Sequence, residues 1–254
     1  MNGLLEGKVG LVTGAGSGIG RAGALSFAQQ GAKVVVSDID DEGGAETVAL
    51  IQKIGGDAIY QRCNVAIAAD AEALVAKAVE AFGQLDCAFN NAGLAGEFAR
   101  LADSTEENFD LNYNVNLKGV FLCMKYEILQ MLKQGRGGAI VSTASIAGLV
   151  GSKQVSAYCA MKHGVNGLTK SAALEYAQKG IRINSVCPGM IETPLLNAQL
   201  EGKPAMREAM MAYEPIGRFG EPREIGDTVA WLCSSQASFV TGHTMTVDGG
   251  AVAA

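Results

Sequence analysis

The chain has 254 residues, 48% of them hydrophobic and 18% charged, with a mean hydropathy of +0.18; such a chain buries a large core and is not disordered. Its 20 Lys and Arg against 26 Asp and Glu give a net charge of −6, with no basic run longer than two residues, which excludes the electrostatic footprint of a nucleic-acid or anionic-membrane binder. Cys63, Cys87, Cys123, Cys159, Cys187 and Cys233 show no C-x-x-C spacing and read as reduced, buried thiols, and with only His163 and His243 no metal site is expected. Met1 to Lys8 lack a basic segment followed by an apolar one, and no uncharged apolar stretch reaches about 18 residues, so a cytoplasmic protein without a membrane partner is expected.

In chain order, Val9 to Val12 reads as a strand that runs into Thr13-Gly14-Ala15-Gly16-Ser17-Gly18-Ile19-Gly20 and a helix over Ile19 to Gln30. Glycines at such a turn let the backbone approach a pyrophosphate, whose charge then sits at the helix N-terminus. The spacing is T-G-x-x-x-G-x-G rather than G-x-G-x-x-G, because Ile19 stands where the third glycine would fall. The next strand, Lys33 to Ser37, is followed by Asp38, a carboxylate that can accept both hydroxyls of an adenosine ribose and repel a 2′-phosphate. NAD is therefore favoured over NADP.

Further on, a helix over Asp41 to Ile54, a strand over Ala58 to Gln61, a helix over Ala69 to Phe82 and a strand over Cys87 to Phe89 follow. Next come a helix over Phe109 to Lys133, a strand over Ala139 to Ser142, a helix over Ser156 to Lys179 and a strand over Arg182 to Val186. A helix over Arg223 to Cys233 and a strand over Thr244 to Val247 complete the series, and Gly31, Gly55, Gly83, Gly135 and Gly180 stand where helices should close. This alternation predicts an α/β fold over residues 1–254: one doubly wound, Rossmann-type parallel sheet with helices on both faces. The Met- and Pro-containing stretch from Gly189 to Gly217 breaks the rhythm and is expected to form a helical flap on the sheet's carboxyl edge.

Ser145 precedes Tyr158 by thirteen residues, and Tyr158 and Lys162 are four apart, on one face if the segment is helical. With the glycine turn, Asp38, Asn90-Asn91-Ala92-Gly93, Asn116, Pro188-Gly189 with Thr193, and Val247-Asp248-Gly249-Gly250, the chain resembles the short-chain dehydrogenase/reductase family over essentially its whole length.

The resemblance implies that Gly14, Ser17, Gly18, Ile19, Gly20 and Asp38 hold NAD, joined by Asn91, Ala92 and Gly93 after the fourth strand and by Pro188, Gly189, Ile191 and Thr193 near the nicotinamide. Asn64-Val65 stands where the family has Asp-Val against the adenine, so that contact is made by an amide here. It further implies Tyr158 as general acid/base, Ser145 as the group that bonds the substrate oxygen, Lys162 as the holder of the nicotinamide ribose, and Asn116 as the residue that orders a proton-relaying water. Lys162 and the oxidised ring are expected to lower the phenol pKa by roughly three units, which needs about 4 kcal/mol.

Leu94, Ile146, Met190, Leu195, Leu196, Met206, Met210 and Met211 are candidate pocket residues, with flap packing an equal alternative for Met206, Met210 and Met211. No arginine is poised for a substrate anion, which favours a neutral secondary alcohol or ketone. By similarity to the family, the long helices and the segment Gly242 to Ala254 would build a homotetramer. An NADPH-dependent 3-oxoacyl thioester reductase is the alternative within the family, against which Asp38 speaks. A non-catalytic dinucleotide sensor is the alternative of another class; it would be expected to lack part of Asn116, Ser145, Tyr158 and Lys162, and none is missing.

Overall fold

A computed structural model describes residues 3–253. Seven parallel strands form one sheet: β1 (Val9–Thr13), β2 (Lys33–Asp38), β3 (Ala58–Arg62), β4 (Cys87–Asn90), β5 (Gly138–Thr143), β6 (Ile181–Pro188) and β7 (Thr244–Val247), in spatial order β3-β2-β1-β4-β5-β6-β7. The chain builds outward from β1 to β3, then returns to lay β4 on the other side of β1. Connections leave β1 and β4 in opposite directions, and a crevice opens at their carboxyl ends.

Side chains alternate across the sheet and feed two cores. On one face Val12, Val34, Val36, Phe89 and Val141 pack with Phe27 of α1 (Gly18–Gln29), Ile51 of α2 (Asp41–Lys53) and Ile225 of α9 (Pro222–Cys233). On the other, Leu11, Val35, Ala88, Ile140 and Ile183 meet Leu74 of α3 (Ala68–Phe82), Met131 of α5 (Val120–Gln134) and Val165 of α6 (Ser156–Tyr176). Each large side chain buried in this way contributes roughly 2 kcal/mol. Strands covered on both faces need apolar residues at every position, which is why their runs are legible without alternation.

Local chemistry sets the helix ends. Gly31, Gly55, Gly83, Gly135 and Gly180 all have positive φ, between 67° and 89°. The flap forms two short helices, α7 (Pro194–Leu200) and α8 (Pro204–Met211), each with proline at its start; Thr193 Oγ1 caps the first by accepting from Leu196 N at 3.2 Å.

One predicted helix differs. The stretch expected over Phe109 to Lys133 starts earlier, as α4 (Glu106–Asn112) with Thr105 capping Asn108 N at 3.1 Å, widens into a π turn over Tyr113–Gly119, and continues as α5. The π turn lies where Asn116 is drawn into side-chain bonds with a neighbouring loop and where Gly119 passes so close to Val65 that an added methyl would stand 2.7 Å from Val65 Cγ2. All six cysteine thiols are free and five are buried; Cys159, on α6, is half-buried.

Candidate active site

At the carboxyl edge of β1, β2, β4 and β5 a cleft of about 480 Å3 runs from the glycine turn to the foot of α6. Gly14, Ser17, Gly18, Ile19, Asp38, Asn64, Val65, Asn91, Ala92, Gly93, Leu94, Tyr158, Lys162 and Thr193 all line it. Gly20 lies beneath, packed on the Gly14 carbonyl. Pro188 is buried at the end of β6, and Gly189, Met190 and Ile191 line a separate cavity of about 60 Å3 beside β7.

At the turn, Gly14 and Gly18 adopt φ of 63° and 51°, and a methyl on Gly14 would stand 2.8 Å from Ala92 Cα. Ser17 stands at the N-terminus of α1, whose first turn contains no acidic residue, so the positive end of the helix dipole faces the cleft uncompensated. Asp38 Oδ2 accepts from Gly16 N at 2.7 Å and Oδ1 from Ile39 N at 2.7 Å, tying the end of β2 to the turn. Arg21 points elsewhere: it bonds the Gly16 carbonyl, Thr47 Oγ1 at 3.0 Å and Glu46 at 2.5 Å. Asn64 Oδ1 is used within its own loop, accepting from Ala66 N at 3.1 Å.

The turn after β4 is pinned from three sides. Thr13 Oγ1 accepts from Asn91 N at 3.0 Å and Ala92 N at 3.1 Å, Asn91 Nδ2 donates to the Thr13 and Gly14 carbonyls at 3.3 Å, and Thr143 Oγ1 donates to Asn91 Oδ1 at 3.1 Å. Gly93 faces Asn116 and Lys162, where a methyl would sit 2.8 Å from Asn116 Oδ1.

Lys162 is buried, donates to the Thr143 carbonyl at 2.8 Å, and has its pKa pushed down to about 8 by burial. Its Nζ lies 5.5 Å from the centroid of the Tyr158 ring. Burial raises the phenol pKa above its ordinary value, and a hydrogen bond with Ser145 partly offsets this. The expected lowering by Lys162 is therefore reversed in the protein alone: the ammonium is itself desolvated and committed to a carbonyl, so burial wins. Ser145 Oγ accepts from Ala147 N at 3.1 Å, which leaves its own hydrogen available for another acceptor.

Asn116 has no exposure, and three hydrogen bonds hold its side chain: Oδ1 accepts from Leu94 N at 3.0 Å, while Nδ2 donates to the Leu94 carbonyl at 2.8 Å and to Asn112 Oδ1 at 2.9 Å. Asn112 Nδ2 in turn donates to the Asn108 carbonyl at 2.9 Å, and Asn108 Oδ1 accepts from Glu97 N at 3.0 Å. Sequence reasoning overlooked this ladder, whose signal was legible as three asparagines at steps of four.

Ala95, Val115 and Pro194 complete the lining, with Thr193 and Pro194 close to Gly18 at the turn. Ile146 is buried, and the Leu195 side chain lies outside the described residues. Met190, Met210 and Met211 pack onto a cluster of Leu196, Leu200 and Phe219, whereas Met206 is exposed. Of the two readings open for Met210 and Met211, the structure shows flap packing, because the two short helices need apolar contacts of their own; Met190 also borders the cavity of about 60 Å3.

Residues 14–252 match the family model described as enoyl-(acyl carrier protein) reductase. Cyclohexanol dehydrogenase of Acinetobacter sp. (strain SE19) is 51% identical over 249 residues, 98% of this chain and 96% of the relative. The chain belongs to the short-chain dehydrogenase/reductase family. A second family member, the 2,5-dichloro-2,5-cyclohexadiene-1,4-diol dehydrogenase of Sphingobium indicum (strain DSM 16412 / CCM 7286 / MTCC 6364 / B90A), is 45% identical and matches 97% of each chain. A solved structure of an Agrobacterium tumefaciens protein with NADP bound is 36% identical, with a TM-score of 0.91 over 100% of both chains. This short-chain dehydrogenase/reductase is accordingly an oxidoreductase, and its family uses nicotinamide dinucleotides. The residues present fit such a group: side chains are missing where Gly14, Gly18 and Gly93 border the cleft, and a helix N-terminus opens into it.

Proposed function

We propose that this chain is an NAD-dependent dehydrogenase of neutral secondary alcohols, or reductase of the matching ketones, with ring alcohols as the favoured class. The observation that carries the proposal is that Tyr158, Lys162 and Asp38 line one continuous cleft, with Ser145 at the phenol. Gly14, Ser17, Gly18 and Ile19 would hold the pyrophosphate, Asp38 the adenosine ribose, Asn64 and Val65 the adenine, and Ala92, Gly93, Lys162 and Thr193 the nicotinamide half. When bound, the nicotinamide ring takes up or returns a hydride.

The chain's own groups handle the proton. Tyr158 Oη takes it from the alcohol or gives it to the ketone oxygen, and Ser145 Oγ donates to that oxygen as charge develops. The phenol enters protonated, so reduction is served directly; oxidation needs the phenolate, which Lys162 and the cationic oxidised ring favour together. Asp38 supports NAD, because the carboxylate would repel a 2′-phosphate and Arg21, the cation nearest the turn, is spent on Glu46 and backbone carbonyls. Among the described residues Lys162 is the one cation lining the cleft, and on this reading its charge serves the nicotinamide half and the phenolate rather than a substrate carboxylate or phosphate. Ring alcohols are favoured by the relatives, whose names specify cyclohexanol and a cyclohexadiene diol. Apolar residues left exposed on α4, α5 and α6 support assembly into a homotetramer.

The test is a panel of cyclic and open-chain secondary alcohols assayed with NAD and with NADP, in the native protein and in Tyr158→Phe. The expected result is kcat/KM at least about a hundredfold higher with NAD, equal to roughly 3 kcal/mol, and loss of most turnover in the variant. Preference for NADP, or a Tyr158→Phe protein that keeps most of its activity, refutes the assignment.

A further inference from the structure

Beneath the turn that borders the cleft, on the α5 face of the sheet, lies a carboxyl group that the reaction does not use. Glu127, in α5, has no exposure, and its Oε2 accepts from Asn90 Nδ2 at 2.9 Å. Its other oxygen, Oε1, has no partner, and neither has Asn90 Oδ1 on the same side chain that supplies the one bond. Both orphans are acceptors, and a buried acceptor without a donor is destabilising. Ser142, opposite Asn90 in the β4–β5 register, has an unpaired hydroxyl and bonds to neither.

We propose that Glu127 stands as a neutral carboxylic acid paired face to face with the Asn90 carboxamide, and that this cyclic pair positions the Asn91–Gly93 turn. A single proton on Oε1 satisfies both orphans: Glu127 Oε1–H donates to Asn90 Oδ1 while Asn90 Nδ2–H donates to Glu127 Oε2. An ionised carboxylate could offer Asn90 Oδ1 nothing but repulsion.

The surroundings agree. Burial pushes the Glu127 pKa up to about 8, opposed only by the Asn90 bond, and no cation contributes. The titratable groups that face it on this side of the sheet are thiols, Cys123 on its own helix and Cys63 just beyond β3, each pushed upward chiefly by burial; Cys233, at the end of α9, lies across the sheet. Asn90 is the last residue of β4, so holding its side chain fixes where Asn91, Ala92 and Gly93 begin. The functional consequence rests on the reading of that turn as a cofactor contact; the protonation state does not. Glu127 is a positioning residue on this account.

A carboxyl whose pKa is higher in the folded chain makes the native state bind the extra proton between about pH 4.5 and about pH 8. Its contribution to stability is complete below that window and is lost as the pH rises through it. Glu127→Gln keeps both hydrogen bonds, as an amide pair, without the titration.

The decisive comparison is thermal unfolding of the native protein and Glu127→Gln from about pH 5 to about pH 8.5, with infrared spectra of each at about pH 6. Expected are a steeper fall of Tm with pH in the native protein, and a protonated-carboxyl carbonyl band that Glu127→Gln lacks. Fluorescence titration with NADH should show affinity falling above about pH 8 in both proteins as Lys162 loses its charge, and more steeply in the native protein than in Glu127→Gln. Parallel Tm slopes, or no such band, overturn the proposal. Should Glu127→Gln not fold, the carboxyl band of the native protein decides alone: its disappearance with a midpoint near 8 supports the pair, and its absence at about pH 6 refutes it. None of the unfolding or infrared readouts requires turnover, so they stand apart from the substrate and NAD assignments.

Discussion

Tyr158 and Lys162 are held by a structure that works against their charged forms. Lys162 is 3% exposed and its ammonium has one backbone carbonyl as partner, so the folded chain carries a desolvated cation. A lysine whose pKa falls from 10.5 to about 8 on folding costs on the order of 3 kcal/mol at neutral pH. The native state binds fewer protons than the unfolded chain between those values, so stability rises as the pH climbs through the window and the cost is greatest below it. Lys162→Met, of similar length and without the charge, should therefore raise Tm at pH 7 while reducing turnover by about a hundredfold or more. Calorimetry and rate measurements on the same preparation check both halves, and a variant that is less stable at neutral pH counts against the argument. The four-residue spacing of the pair was legible because helical geometry alone puts both groups on one face. The direction of the phenol's pKa was not, because it depends on how much water the fold removes, and burial is not written in a motif.

At the scale of elements, the strands were readable and the longest helical stretch was not, for related reasons. A strand buried on both faces declares itself through composition, as Val34, Val35 and Val36 do. The π turn at Tyr113–Gly119 has no such local cause; it accompanies the bonds of Asn116 to Leu94, 22 residues away in sequence, and the close pass of Gly119 over Val65. Asn108, Asn112 and Asn116 then act as a strap that fixes the loop from Leu94 to Glu97, the wall of the cleft next to Tyr158. That loop is tied on its far side as well, where Ala99 N donates to the Gln154 carbonyl at 2.9 Å. Substituting Asn112 by Leu removes the acceptor for Asn116 and the donor to Asn108, leaving buried polar groups unpaired at a cost of about 2 kcal/mol. The strap touches the alcohol end of the cleft rather than the adenine end, so Asn112→Leu should raise KM for the alcohol by roughly tenfold and leave KM for NAD nearly unchanged. A parallel rise in both constants would assign the ladder to general stability instead. The same logic limited the pocket: methionines at helical spacing in the flap predict an apolar contact, but which surface they contact is decided by Phe219, beyond the flap in sequence.

On the whole molecule, several large apolar side chains stand exposed, and the proposed assembly would cover them. Phe109, Phe121 and Leu129 are about half exposed along α4 and α5, Leu174 is 84% exposed on α6, and Phe239, just before β7, is fully exposed. They fall into two regions, the long helices and the β7 edge of the sheet. Two independent self-complementary contacts on one chain generate a closed assembly of four, whereas one contact gives a dimer. Burying a fully exposed phenylalanine is worth roughly 2 to 3 kcal/mol per copy, and each contact counts it twice by symmetry. Phe239→Asp should therefore split a particle of four chains into dimers joined through the helices, with little change in the Tm of the chain itself, since Phe239 contributes nothing to the monomer's core. Light scattering at micromolar concentration distinguishes the outcomes. A native protein that runs as a single chain removes the assembly, and a tetramer unaffected by Phe239→Asp moves its second contact away from the β7 edge.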